Sequence, residues 1–355
     1  MPHIAATSTA FPPHYYSQTE IAEALLELTA GPGGHRQAVR RFSDAVSVHG
    51  RYLALPIAEY MERPGFGRRN DAWIQASLEL GETAVRRLLA RATVAPDRIG
   101  LFATTTVTGL AVPSLEARLM NRLSFSPATK RLPLFGLGCV AGAAGVARVA
   151  DYLRAFPDEA AILLSVELCS LTLQYDDPSV SNLIASGLFG DGAAAVLLVG
   201  DEHPLAGRGD AEVVATEACL FPDTERVMGW DIVDSGFRIV LSRAVPALAE
   251  CDLAEVIRAF LATHHLTVPD VDVWIAHPGG PAVIDGMQRG LGLDAHALDR
   301  SRACLQRIGN LSSASVLVIL DEALQDTTAT PRHGLLLAMG PGFCAELVLL
   351  RWPRP

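Results

Sequence analysis

LPLFGLGCVAGAAGVARVADYLRAF, residues 132–156, reads as a short apolar strand, a glycine turn and a helix built from small residues. A helix so rich in Ala and Gly suits the centre of a molecule, where two backbones pack closely. It has a counterpart in the second half, IGNLSSASVLVILDEAL (308–324), again a turn and then a helix of small side chains. FGDGAAAVLLVG (189–200) matches MGPGFCAELVLL (339–350) in the same way, each a glycine turn feeding a buried strand. The chain therefore looks like a duplication of one βαβ-rich unit.

The surrounding pattern agrees. RIGLFATTTVTG (98–109), AAILLSVELC (160–169), VDVWIAHPGG (271–280) and HGLLLAMG (333–340) are strand-like and almost wholly apolar. They alternate with helical stretches such as DAWIQASLELGETAVRRLLARA (71–92) and LAEVIRAFLATHHL (253–266). Apolar strands alternating with helices point to sheets covered on both faces. The join falls near EHPLAGRGDAE (202–212), which is polar and carries Gly and Pro, so the halves are set at 1–205 and 206–355.

Half of the 355 residues are hydrophobic and 19% are charged, which describes a globular protein with a large interior. A net charge of −10 argues against general nucleic-acid binding, which needs a basic surface. No apolar run reaches membrane-spanning length, and the N-terminus lacks the charged start and apolar stretch of a signal peptide, so a cytoplasmic protein without stable membrane insertion is expected. The six cysteines are scattered, with neither CxxC pairs nor zinc spacing; each reads as a thiol, and no metal site is expected.

Three polar residues stand where chemistry is possible. Cys139 ends an apolar strand just before a helix, whose free N–H groups favour a thiolate; a cysteine there also fits as a small hydrophobe filling a tight junction. His277 ends the strand VWIA at the edge where α/β folds build their sites, or is an ordinary strand-end histidine. Asn310 opens the second small-residue helix and would serve equally as an N-cap. Their arrangement carries the case. If the halves are related by a pseudo-twofold, Cys139 and Asn310 approach one axis from matching junctions, and His277 comes from the strand before Asn310's helix. His277 could then pair with a thiolate, and His277 and Asn310 could donate to an oxyanion.

GCVAGAAG, LFGDGAAA, AHPGGPAVID, GNLSSASVLVIL and MGPGF, with this order and spacing, resemble type III polyketide synthases, the chalcone and stilbene synthase family with its bacterial relatives. The likeness covers nearly the whole chain, with one departure: the family's Gly-Phe-Gly-Pro-Gly reads Ala338-Met339-Gly340-Pro341-Gly342, which keeps the turn. It implies an α/β, thiolase-like five-layer αβαβα fold from two duplicated halves, and a homodimer. It also implies that acyl-CoA and malonyl-CoA are substrates and that no cofactor is needed.

The resemblance assigns roles residue by residue. Cys139 takes the starter acyl group, while His277 and Asn310 hold the malonyl thioester carbonyl during loss of CO₂. Phe189 matches an aromatic gate between the CoA tunnel and an inner cavity. Cys169, Thr172, Trp230, Ile239 and Ser312 align with the cavity lining, where simple core packing is the other reading. MGWDIVDSGF (228–237) resembles bacterial alkylpyrone and alkylresorcinol synthases more than plant members. Trp230 stands where plant members commonly have a small residue, and is expected to block part of the cavity or divert an acyl chain. Val112 matches a position that crosses the dimer interface, and Arg41 one that grips CoA phosphates. The product expected is a pyrone or resorcinol type. A ketoacyl-ACP synthase III-like single condensation is the nearest rival, and a catalytically silent structural or partner-binding subunit a rival of another class.

Overall fold

The computed structural model describes residues 1–28, 33–207, 211–326 and 331–352. Its centre is a nine-stranded sheet. In spatial order the strands are Val273–Ala276, His333–Gly340, Cys344–Arg351, Ala211–Leu220, His3–Ala10, Asp191–Val199, Ala160–Leu168, Ile99–Thr106 and Lys130–Phe135. The junction between its two parts is slight: Ala211–Leu220 meets His3–Ala10 only at His3–Glu212 and Ile4–Ala211. The sheets of the two halves are thus joined edge to edge rather than separate.

The helices Ala141–Ala155 and Ser313–Gln325 lie between the two parts, as their small residues led us to expect. A Cβ on Gly142 would stand 2.2 Å from the Ser313 carbonyl oxygen, so only glycine permits this approach. Strand alternation then sorts the core into layers. Ala161 and Leu163, Leu336 and Ala338, and the two central helices share one cluster. Ile162, Leu164 and Val166 face outward onto the long helix Phe66–Ala92. Leu335, Leu337 and Met339 face the opposite way, onto the helices Asp252–Thr263 and Pro281–Leu291. Outer helix, sheet, central helices, sheet and outer helices make the five layers of the thiolase-like fold.

Lys130–Phe135 is a strand as read, but it is the last of its sheet and half open: Phe135 is 51% exposed. Leu132 packs on the central cluster, while Pro133 and Phe135, on the other face, are exposed. A two-stranded hairpin, Met228–Val233 paired with Gly236–Leu241, stands apart from the main sheet and closes the site described next.

Candidate active site

Cys139 sits in a single 3₁₀ turn, Gly138–Val140, that leads directly into the central helix. Gly138 has φ +56°, and a Cβ there would meet Pro341 at 2.5 Å. The Gly340-Pro341-Gly342 turn therefore packs on the nucleophile turn, which explains why that motif needs its glycines. From the other half, His277 extends the strand Val273–Ala276 by donating its N–H to the Leu337 carbonyl at 2.9 Å. Asn310 is held on both sides by backbone: its N–H donates to the Leu188 carbonyl, and its carbonyl accepts from the Gly190 N–H, both at 2.9 Å. The Asn310 Oδ1 accepts from the Ser312 N–H at 2.8 Å, which leaves the side-chain NH₂ as the group able to donate outward.

Cys139, His277 and Asn310 line one cavity of about 610 Å³, together with Phe42, Val46, Leu188, Phe189, Arg243 and Met339. A second, smaller chamber takes in Cys139, Cys169, Phe189, Trp230, Ile239 and Ser312. A third pocket is lined by Cys169, Thr172, Phe189, Trp230 and Ile239 and by the aliphatic side chains of Ile21, Leu25, Leu28, Leu53 and Ile57. Phe189 lines all three. Its ring lies 6.5 Å from that of Trp230, which in turn lies 6.3 Å from Phe237.

The residues singled out in the sequence thus come together, with two exceptions. Val112 is 96% exposed on the loop beyond the strand Ile99–Thr106. Arg41 is exposed on the helix Gly33–Ala45 and is not among the cavity-lining residues, although its neighbours Phe42 and Ala45 are. The cation that does line the outer cavity is Arg243, which reading the sequence missed because one arginine before AVPALAE carries no pattern.

Burial opposes the help that the helix end offers a thiolate: it pushes the Cys139 thiol up to about 12, and the His277 imidazole down to about 3. The Cys139 thiol donates to the Ser312 hydroxyl at 3.5 Å, and the His277 Nδ1 has no hydrogen-bond partner among the described residues. In so dry a place a lone thiolate or a lone imidazolium is costly. Both groups line one cavity, so a proton moved from sulfur to imidazole would create two opposite charges facing the same space.

Glu167 was also overlooked, though an acid in a strand, Ala160–Leu168, whose only other polar residue is Ser165 was a readable signal. It is fully buried and accepts from the Val107 N–H at 3.1 Å, the Thr108 hydroxyl at 2.9 Å and the Ser313 hydroxyl. Desolvation pushes it up to about 7, from an ordinary value of 4.5. Between those pH values the unfolded chain releases a proton that the folded chain keeps. Stability therefore falls as pH rises from about 4.5 to about 7, by about 3 kcal/mol in all, and is level above. Asp191, pushed up to about 6, acts with the same sign at the lower end. Glu167→Gln should remove its share of this slope, leaving that of Asp191, in urea unfolding measured from pH 4.5 to 7.5. Identical slopes in parent and variant would place the proton elsewhere.

Among the described residues no helix is long and apolar enough to cross a membrane, and no group of three or more His, Cys, Asp or Glu is placed to hold a metal ion.

Comparison with known proteins agrees with this geometry. Residues 67–212 match the family described as FAE1/type III polyketide synthase-like protein, and residues 212–352 match the C-terminal domain of chalcone and stilbene synthases. The chain is 47% identical to a 1,3,6,8-tetrahydroxynaphthalene synthase of Streptomyces peucetius subsp. caesius, over 98% of this chain and 93% of that one. It is 40% identical to a putative chalcone synthase of Bacillus subtilis, over 86% of this chain and 87% of that one. The crystal structure of 1,3,6,8-tetrahydroxynaphthalene synthase from Streptomyces coelicolor A3(2), a bacterial type III polyketide synthase, superposes with a TM-score of 0.93 at 30% identity, covering 99% of this chain and all of that one. Fold, cavity and sequence agree, and the chain belongs to the type III polyketide synthase family.

Proposed function

We propose that this polyketide synthase loads an aliphatic acyl-CoA on Cys139, extends it with malonyl-CoA and closes the chain to a pyrone or resorcinol-type product. The observation that carries this reading is the apolar pocket that Phe189 shares with the Cys139 cavity. Its lining is mainly apolar, and Ile21, Leu25, Leu28, Leu53 and Ile57 offer an alkyl chain an aliphatic surface.

Each step follows from the groups present. The Cys139 thiol gives its proton to His277, and the thiolate attacks the acyl-CoA carbonyl; the tetrahedral adduct collapses to the Cys139 thioester, and CoA leaves as the thiol. Malonyl-CoA then places its thioester oxygen against the His277 N–H and the Asn310 NH₂. Loss of CO₂ leaves an enolate whose negative oxygen these donors hold. The enolate carbon attacks the Cys139 thioester and the thiolate departs, leaving the lengthened chain on CoA; the Cys139 thiolate then attacks that thioester, takes the chain back, and CoA leaves and picks up a proton. No metal or redox cofactor enters this sequence.

A malonyl-primed reading is favoured by the 47% identical tetrahydroxynaphthalene synthase, since a naphthalene skeleton carries no alkyl tail. The test supplies malonyl-CoA alone, and then with acyl-CoAs of graded length, to the parent and to Trp230→Gly. Parent turnover should need an acyl-CoA. In the variant, opening the wall between chamber and pocket should shift preference toward longer starters by about tenfold in kcat/KM. Tetrahydroxynaphthalene from malonyl-CoA alone, with acyl-CoAs unused, would replace the proposal.

Other parts of the reading are proposed with it. A homodimer is supported by apolar groups left open on one side: Val112 at 96%, Phe135 at 51% and Leu110 at 41% exposure, beside the free edge of Lys130–Phe135; sedimentation in solution checks it. Division into halves at 205/206 is supported by the two family matches meeting at residue 212. A cytoplasmic setting is supported by six free cysteines.

A further inference from the structure

We infer that Arg51 is a positioning residue that holds the gate Phe189 and the donor Asn310 in one fixed arrangement. Arg51 lies on the short strand Gly50–Leu53, is 2% exposed, and its side chain lines the apolar pocket. One guanidinium nitrogen donates to the Gln18 Oε1 and to the Gly187 carbonyl, each at 2.5 Å, and another donates to the Ser186 carbonyl. Ser186 and Gly187 belong to the last turn of the helix Val180–Leu188, where carbonyls lack intrahelical partners and a positive charge is favoured. Gln18 reinforces the contact by donating its own amide to Gly187 at 2.9 Å.

The helix's last residue, Leu188, and the Phe189 and Gly190 that follow it clasp Asn310 through two backbone hydrogen bonds. Arg51 touches both sides of the clasp. A Cβ on Gly309 would lie 3.4 Å from the Arg51 Cδ and 2.7 Å from the Leu188 carbonyl oxygen. A Cβ on Gly190 would lie 3.2 Å from the Arg51 Cβ and 2.5 Å from the Ile308 carbonyl oxygen. Asp191, next along, accepts from the Ala54 and Ser170 N–H groups and supplies the opposite charge. One buried cation thus anchors the helix end, the gate and the segment that aims the Asn310 amide. A core aliphatic would fill the same space without the desolvation cost of a charge, which argues that the hydrogen bonds matter here rather than the volume.

The inference rests on the roles proposed above for Asn310 and Phe189, and the experiment separates the two. Full-length Arg51→Lys, Gln18→Leu and Asn310→Ala are purified, and three things are read: acyl adduct on Cys139 by intact mass, CO₂ release from malonyl-CoA, and product chain length. For Arg51→Lys, starter loading should stay within about threefold of the parent. Decarboxylation should fall about tenfold or more through kcat, because a donor displaced by a fraction of an ångström loses its aim. The product-length distribution should also move. Gln18→Leu should show the same split, smaller, and decides the matter if Arg51→Lys does not fold. If Asn310→Ala keeps its decarboxylation, the oxyanion assignment fails, and the Arg51 inference is then judged on product length, which must still shift. If Asn310→Ala loses decarboxylation while the other variants keep parental decarboxylation and products, the inference is overturned. It is overturned equally if loading and decarboxylation fall in step.

Discussion

Cys139→Ala is expected to stop acyl loading completely while leaving malonyl-CoA decarboxylation measurable. The substitution removes the only thiol among the described residues lining the cavity that holds His277 and Asn310, together with its hydrogen bond to Ser312. It leaves the backbone clasp on Asn310 and the strand pairing of His277 untouched. Two consequences follow. Intact mass after incubation with an acyl-CoA should show the adduct in the parent and none in the variant, and condensed product should fall by at least about 10³-fold, as expected when a covalent nucleophile is lost. Release of CO₂ from malonyl-CoA needs only the two oxyanion donors, so it should persist. An adduct that survives the substitution would move the nucleophile; Cys169, which shares the inner chamber with Cys139, is the next thiol to examine.

How much of this was legible beforehand depended on whether a residue's partners are near it in sequence. The central helices announced themselves through their small residues, and the buried strands through unbroken apolar runs. The strand His3–Ala10, which joins the two parts of the sheet, did not, because HIAATSTA is half polar. Its polar side chains tolerate burial through distant partners: Thr7 donates to Asp321 at 2.6 Å and Ser8 to the Ala84 carbonyl at 2.7 Å. No local pattern encodes those contacts. The same holds for Arg51, which in HGRYLAL looks like a surface arginine until Ser186 and Gly187 fold against it. The triad was readable because matching the half-chains supplied the missing long-range information. The helix end behind Cys139 was legible too, but the burial that works against its thiolate was not, because the residues that enclose it are distant in sequence.

The cavities divide the work between chemistry and selection. Cys139, His277 and Asn310 come from turns locked by backbone contacts, so the reacting groups have little freedom. Phe189 and Trp230 instead present large side chains between compartments, and Trp230 does so from a hairpin outside the main sheet. Changes on that hairpin can alter which chain fits while leaving the condensing groups in place. Selection by shape in an apolar pocket is worth only about 1–3 kcal/mol for each small change in chain length, so a graded rather than absolute starter preference is expected.

Asn310→Ala should show the opposite pattern to Cys139→Ala: starter loading largely kept, and decarboxylation lost. The Asn310 Oδ1 is occupied by the Ser312 N–H, so the side chain has one function left, donation of its NH₂ into the cavity. When CO₂ departs, negative charge gathers on the thioester oxygen, and in this dry cavity His277 alone cannot spread it. Losing one preorganised donor typically costs about 10²–10³-fold in rate, and that is the fall expected in CO₂ release under single-turnover conditions. Loading should suffer far less, because the attacking sulfur and its proton acceptor His277 both remain. The variant also frees the Ser312 N–H and so disturbs a residue held at φ +49° beside Cys139. Asn310→Asp separates that effect: it keeps an oxygen for Ser312 but presents a carboxylate to the forming enolate. Its decarboxylation should be at least as poor as that of the alanine variant, with loading near the parent's. Equal loss of loading and decarboxylation in both variants would show that Asn310 shapes the Cys139 turn rather than holding the oxyanion.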